Sequence, residues 1–87
     1  MRSRGMMADD DITIVDIEVV IREIDKQEKE HGSGHTSKTH LLRAMSQLSS
    51  DQLGAILAKA LDEGYVQHVT ESGNWTPTGE GFKLIGK

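Results

Sequence analysis

Cysteine is missing from this chain of 87 residues. That excludes disulfide support, thiolate nucleophiles and cysteine-held metal, and it fits a cytoplasmic protein. Aromatic residues are scarce, with one Trp, one Tyr and one Phe. The core must therefore come from Leu, Ile, Val, Ala and Met. A domain of this size hides only about 60–65% of its unfolded surface, so that core is thin. No apolar run reaches the roughly 20 residues that span a bilayer as a helix. Met1-Arg2-Ser3-Arg4-Gly5 carries two arginines but no hydrophobic segment follows, so no secretory leader is expected. Repeats are absent, and the only low-complexity stretch is a short glycine loop.

Positive charge is also in short supply, with ten Lys and Arg against fourteen Asp and Glu, a net charge of −4. Its distribution is uneven. Residues 1–34 hold five basic and nine acidic residues, whereas residues 35–87 hold five of each. Between residues 31 and 50 there is no acid, only Lys38, Arg43 and the histidines His31, His35 and His40. Contact with phosphate is physically reasonable there; two basic residues on a solvated helix face is the plainer reading.

Residues 1–11 have little to bury and are expected to be a disordered tail, ending in Asp9-Asp10-Asp11. A single domain is expected over 12–87. Its first segment is rich in β-branched residues, which suit strands, but its period is helical. Ile14, Ile17, Val20, Ile21 and Ile24 form one stripe, and Asp16, Glu18, Arg22, Glu23, Asp25 and Lys26 occupy the other faces. A helix from Thr13 to Glu30 is predicted, with Thr13 and Asp16 spaced as a capping box. The β-branched residues on its neighbouring faces imply wide burial, in the domain's own core or against a second subunit. His31-Gly32-Ser33-Gly34-His35 then reads as a loop.

The chain is organised around Thr36–Val66. Ser37, or Thr36 beside it, can cap a helix bearing Leu41, Leu42 and Met45 on one face. Ser46-Gln47-Leu48-Ser49 breaks the period, and Ser49 or Ser50 starts it again. Leu53, Ile56, Leu57, Ala60 and Leu61 then recur at helical spacing up to Gly64, a natural C′ residue. Two short helices about a compact turn are the helix-turn-helix arrangement, whose second helix can enter a DNA major groove. Tyr65–Thr70 alternates like a strand, Glu71-Ser72-Gly73-Asn74 is turn chemistry, and Trp75-Thr76 returns as a short strand stopped by Pro77. Thr78 caps a last helix over about Gly79–Ile85, with Phe82 and Leu84 or Ile85 as its buried side.

The stretch Lys38-Thr39-His40-Leu41-Leu42-Arg43-Ala44-Met45, then Leu48-Ser49, Leu53, Leu57 and Leu61-Asp62-Glu63-Gly64-Tyr65-Val66, resembles the small winged helix-turn-helix regulators found widely in archaea. The ending Trp75-Thr76-Pro77-Thr78-Gly79-Glu80-Gly81-Phe82 is similar to their aromatic-x-Leu-Thr-x-x-Gly wing exit, with Thr78 and Gly81 at the Thr and the Gly. Pro77 stands where the family commonly has Leu, which predicts an early end to the second wing strand. The resemblance covers about residues 14–85. It implies a mainly α fold with a small β-hairpin: a three-helix core, a wing and a short C-terminal helix. It further implies a sequence-specific, DNA-binding transcription regulator that works as a homodimer on double-stranded DNA. The alternative is a winged helix that contacts protein inside transcription or replication machinery, which the acidic first helix favours.

If the stripe from Leu53 faces inward, the outer side of the second central helix carries Ser50, Asp51, Gln52, Gly54, Ala55, Ala58, Lys59 and Asp62. Gln52 has the two-pronged chemistry for adenine, Ser50 for a base edge or phosphate, and Ala55 for a thymine methyl, while Lys59 would lie near the backbone. Thr36, Lys38, His40, Arg43 and Gln47 are candidates for phosphate contact. Ser72 and Asn74 of the wing are candidates for the minor groove. All are also ordinary cap or surface residues.

Catalysis is not expected. No Ser/His/acid or Cys/His set is placed on opposed elements, and Gly32-Ser33-Gly34 is too short for a phosphate-cradling loop and follows no strand. The spacing of His31, His35 and His40 invites a zinc hypothesis, but with no Cys and no evident carboxylate partner neither metal nor cofactor is expected. A pH-sensitive role for His35 and His40 beside Lys38 is a further expectation.

Overall fold

A computed structural model describes residues 12–32 and 34–87. The expected tail, residues 1–11, lies outside them. The elements run α1 (Ile14–His31), α2 (Lys38–Ala44), α3 (Ser50–Asp62), β1 (Val66–Val69), β2 (Asn74–Pro77) and α4 (Gly79–Leu84). The result is mostly helical with one antiparallel hairpin, an order compatible with a winged helix.

Each helix begins where a side-chain oxygen can accept a backbone N–H. Thr13 Oγ1 accepts from Asp16 N at 3.2 Å and Asp16 Oδ2 accepts from Thr13 N at 2.9 Å, a capping box with Asp in the usual Glu place. Ser49 and Gln52 form a second box, at 3.1 and 2.9 Å. Ser37, not Thr36, caps α2, and Thr78 caps α4. Ile12 and Ile17 hold the N′ and N4 positions of α1 and are both buried, the arrangement of a hydrophobic staple. Ile12 takes the place expected for Ile14, which is 47% exposed.

The close of α3 explains a second departure. Tyr65 N donates to Ala60 O at 2.8 Å and Gly64 N to Leu61 O at 3.1 Å, with Gly64 at φ 83°. This is a Schellman turn; Leu61 lies in the last helical turn, which ends at Asp62. Leu61, expected in the core stripe, is 44% exposed.

In the hairpin Val66 pairs with Pro77, Gln67 with Thr76, His68 with Trp75 and Val69 with Asn74. A loop of four residues, closed by Gly73 N donating to Val69 O at 2.7 Å, connects them. Pro77 does not cut β2 short at Thr76, as expected, but forms its last rung. The ladder bond there runs from Thr78 N to Tyr65 O at 3.0 Å, so no N–H is needed from the proline. The α1–α2 link joins the hairpin as a fragment of a third strand. Ser37 bridges Asn74, Trp75 N donates to Thr36 O at 3.0 Å, and Asn74 Oδ1 accepts from Thr36 N at 3.2 Å.

The core is aliphatic, as the composition requires. Ile17, Val20, Ile21 and Ile24 of α1 meet Leu41 and Met45, then Leu53, Ile56, Leu57 and Ala60 of α3, with Val66 and Ile85 completing it. Tyr65, Trp75, Phe82 and Leu84 pack against its edge, half-buried. On α4, Gly81 lies so close to the Tyr65 carbonyl that a Cβ would overlap its oxygen. Thr78 Oγ1 donates to Gly64 O at 2.6 Å, tying the same corner.

Candidate nucleic-acid interface

The turn between α2 and α3 is compact because each end is fastened. Met45 N donates to Leu41 O at 2.8 Å, Leu48 N to Met45 O at 3.0 Å, and the Ser49 box begins at once. Leu48 packs against the core from within the turn. The start of α3 is thereby held beside α2, with Arg43 and Gln47 exposed next to it and Ser50 and Asp51 exposed on its first turn.

The structure sorts the candidate residues. Arg43, Gln47, Ser50 and Ser72 are exposed and available to a ligand. Lys38, His40, Gln52, Ala55 and Lys59 are half-buried. The Lys38 ammonium lies over Gly54, 2.9 Å from where a Cβ would stand, so the glycine lets this side chain cross α3. His40 Nδ1 is 2.7 Å from the Ser37 hydroxyl. Gln52 spends its carbonyl oxygen on the Ser49 cap, and Lys59 pairs with Glu63 at 3.7 Å.

Thr36 is a correction. It is wholly buried, its backbone paired to β2, so it is out of reach of phosphate. Its Oγ1 has no hydrogen-bond partner among the described residues. Asn74 is half-buried and its carbonyl oxygen is committed to Thr36 N, which makes it a pin between link and hairpin before anything else. The outward ridge of α3 is also rotated from expectation. Ser50, Asp51, Ala58, Leu61 and Asp62 are its exposed residues, whereas Gln52, Ala55 and Lys59 flank it.

Two ring arrangements were not foreseen as such. His68 and Trp75, opposite each other at a rung without ladder bonds, stack at 4.1 Å with planes 17° apart. Cross-strand pairing at such rungs brings side chains closest, so the hairpin register carries this signal. His35 lies between His31 and His40, with ring centroids 5.5 and 5.2 Å away. Their sequence spacing hinted at this cluster. Among the described residues, however, no group of three or more His, Cys, Asp or Glu is placed to hold a metal ion.

Fixed charges gather elsewhere. Arg22 pairs with Glu18 at 2.6 Å, and Asp25 receives Lys87 at 2.8 Å and Lys29 at 3.2 Å. The hydrogen bond from Lys87, helped by Lys29, holds the Asp25 carboxyl below the usual range. Burial raises that of Glu28, partly offset by the facing Thr76 hydroxyl. No family model, curated protein or solved structure matches the chain.

Proposed function

We propose that this chain is a winged-helix regulator that binds double-stranded DNA as a dimer. The carrying observation is the α2–α3 pair, with its fastened turn and its exposed Arg43, Gln47 and Ser50, set beside a hairpin whose tip end, at Asn74, is bonded to the start of α2. A helix pair of this kind presents the start of its second helix to a major groove while the preceding helix meets the backbone. Specificity then comes from Ser50 and the amide nitrogen of Gln52 on α3, with Ala55 for a thymine methyl. Lys38, His40, Arg43, Gln47 and Lys59 position the domain on phosphates, and Ser72 approaches from the wing.

Three fixed cations, Lys38, Arg43 and Lys59, serve the contact in each protomer. That is few, and a dimer doubles them. The logarithm of affinity should fall against the logarithm of salt with a slope of about −3 for one protomer and about −5 for two. The exposed Ile14, Val15 and Val19 of α1 are the apolar side chains a dimer would cover. Electrophoretic mobility of a duplex at low salt tests the reading. The protein retards the DNA, retardation fades along the predicted slope, and Arg43→Glu abolishes it with the fold intact by circular dichroism. An unchanged shift in that variant removes the phosphate assignment.

One observation favours the alternative of a protein partner. The outward ridge of α3 bears two acids, Asp51 and Asp62, around Ala58 and the exposed Leu61. A surface of small, apolar and acidic groups suits a basic protein face better than a phosphate. Absence of any shift at low salt would decide for it.

A further inference from the structure

We propose that the row His31–His35–His40 is a proton-loaded contact for the DNA phosphate backbone, so that this protein takes up protons as it binds. The inference rests on the DNA-binding reading above and adds to it a second patch and a regulating variable.

Geometry places the row well for this. His31 ends α1, His35 stands in the link and His40 lies on the first turn of α2, so three segments meet in one imidazole patch. The row lies within residues 31–50, the stretch of chain that holds no acid. His31 and His35 are exposed, and His40 is half-buried against the Ser37 hydroxyl. Elsewhere the described cations are largely engaged: Arg22, Lys29 and Lys87 on Glu18 and Asp25, Lys59 with Glu63, and Lys83 with Glu80. The imidazoles therefore add to Arg43 a reserve of positive charge at α2 that pH controls.

Imidazole is the side chain whose charge changes between pH 5 and 8. Three charged rings about 5 Å apart repel one another, at an energy that the surrounding water moderates but does not abolish. A phosphate beside them turns that repulsion into attraction, so anion and protons favour each other's binding. The charged neighbours do not cancel the effect. On α1, Glu30 Oε1 stands 3.9 Å from His31 Nε2, a long and exposed pair, and Glu28 turns toward Thr76 of β2. On α2, the Lys38 ammonium lies over Gly54 of α3 and leaves the row uncancelled. The hairpin meets the link through Asn74 and Trp75, which are uncharged.

The test measures fluorescence anisotropy of a labelled 24-base-pair duplex with the whole protein at pH 5.5 to 8.0. Ionic strength is fixed, and EDTA is present so that no metal bridges the rings. As pH falls, affinity should rise roughly tenfold per pH unit for each proton taken up. His31→Gln and His35→Gln, both exposed and outside the caps, should flatten the profile, with the loss of affinity greatest at pH 5.5 and smallest at pH 8.0. His68→Gln, on the wing, should keep the slope. Calorimetric titration in two buffers of different ionisation enthalpy should show proton uptake that falls in the first two variants. Binding that is flat with pH, or equally steep in His31→Gln and His35→Gln, overturns the histidine contact and leaves the DNA-binding reading standing. No binding at any pH overturns both.

Discussion

Gly81→Ala is the sharpest test of how α4 is held. Ordinarily the change would help a helix, because Gly costs about 1 kcal/mol relative to Ala in a helix interior. Here the added Cβ overlaps the Tyr65 carbonyl oxygen, with the carbonyl carbon at 3.2 Å and Pro77 Cβ at 3.4 Å. These are backbone and proline-ring atoms, which cannot swing aside as the end of a long side chain does. The same oxygen accepts the Thr78 N–H at 3.0 Å, so relieving the clash also strains that bond. Overpacking of this kind costs about 1–3 kcal/mol, and a lost backbone hydrogen bond about 1 kcal/mol more. Set against the gain of about 1 kcal/mol in helix propensity, the net loss should be about 1–3 kcal/mol, a large share of what a small domain has. Thermal melting followed at 222 nm should show Tm lower by roughly 5–20 °C. Gly79→Ala is the control: it sits in the same helix with nothing within 4 Å, and its Tm should hold or rise. A Gly81→Ala midpoint equal to that of Gly79→Ala would mean that α4 does not pack on Tyr65 as described.

Gly54→Ala should behave oppositely. Its new Cβ meets the mobile end of Lys38, which can move, so urea unfolding should show a gain of up to about 1 kcal/mol, while DNA affinity changes because the ammonium is displaced. Asp25 should govern part of the acid limb. Its lowered folded value means that its stabilisation is complete above the ordinary carboxyl value of 3.8 and disappears as pH falls through the folded one, so Asp25→Asn should flatten the loss of stability below about pH 4. Glu28 has the reverse sign. Its raised value makes the folded state favour the protonated form, so its contribution weakens as pH rises past 4.5, and Glu28→Gln should unfold at equal or higher urea at pH 7 than the wild type. Wild-type and variant midpoints measured from pH 3 to 7 check both.

Local signals carried most of the fold. Hydroxyls at Thr13, Ser37, Ser49 and Thr78 marked helix starts, and Gly64 marked an end, because caps are decided within four residues. Periodicity overread the ends of the stripes. Ile14 and Leu61 fit the spacing but lie in the terminal turns of their helices, at the edge of the core, and are exposed. Pairings across distance left no periodic trace. The bond between Thr36 and Asn74 joins residues 38 apart, and it removed both from the list of simple surface contacts. Gly81 looked like a weak point in a short helix; only the approach of Tyr65 shows why a side chain is excluded there. The candidate interface was legible as a segment, since helix–turn–helix order is a local pattern. The rotation of α3 about its axis was not, because it depends on how α1 and the hairpin seat against it.

The Ser37–Asn74 bridge has a mechanical meaning. Through it, the loop at the tip of the hairpin and the opening turn of α2 belong to one lever, so neither can tilt without dragging the other. A ligand that grips the tip therefore leans on the same joint that aims Arg43. On the proposed reading, contacts at these two edges would share a single docking angle, set beforehand by the two-stranded hairpin and the bridge that ties the link to it.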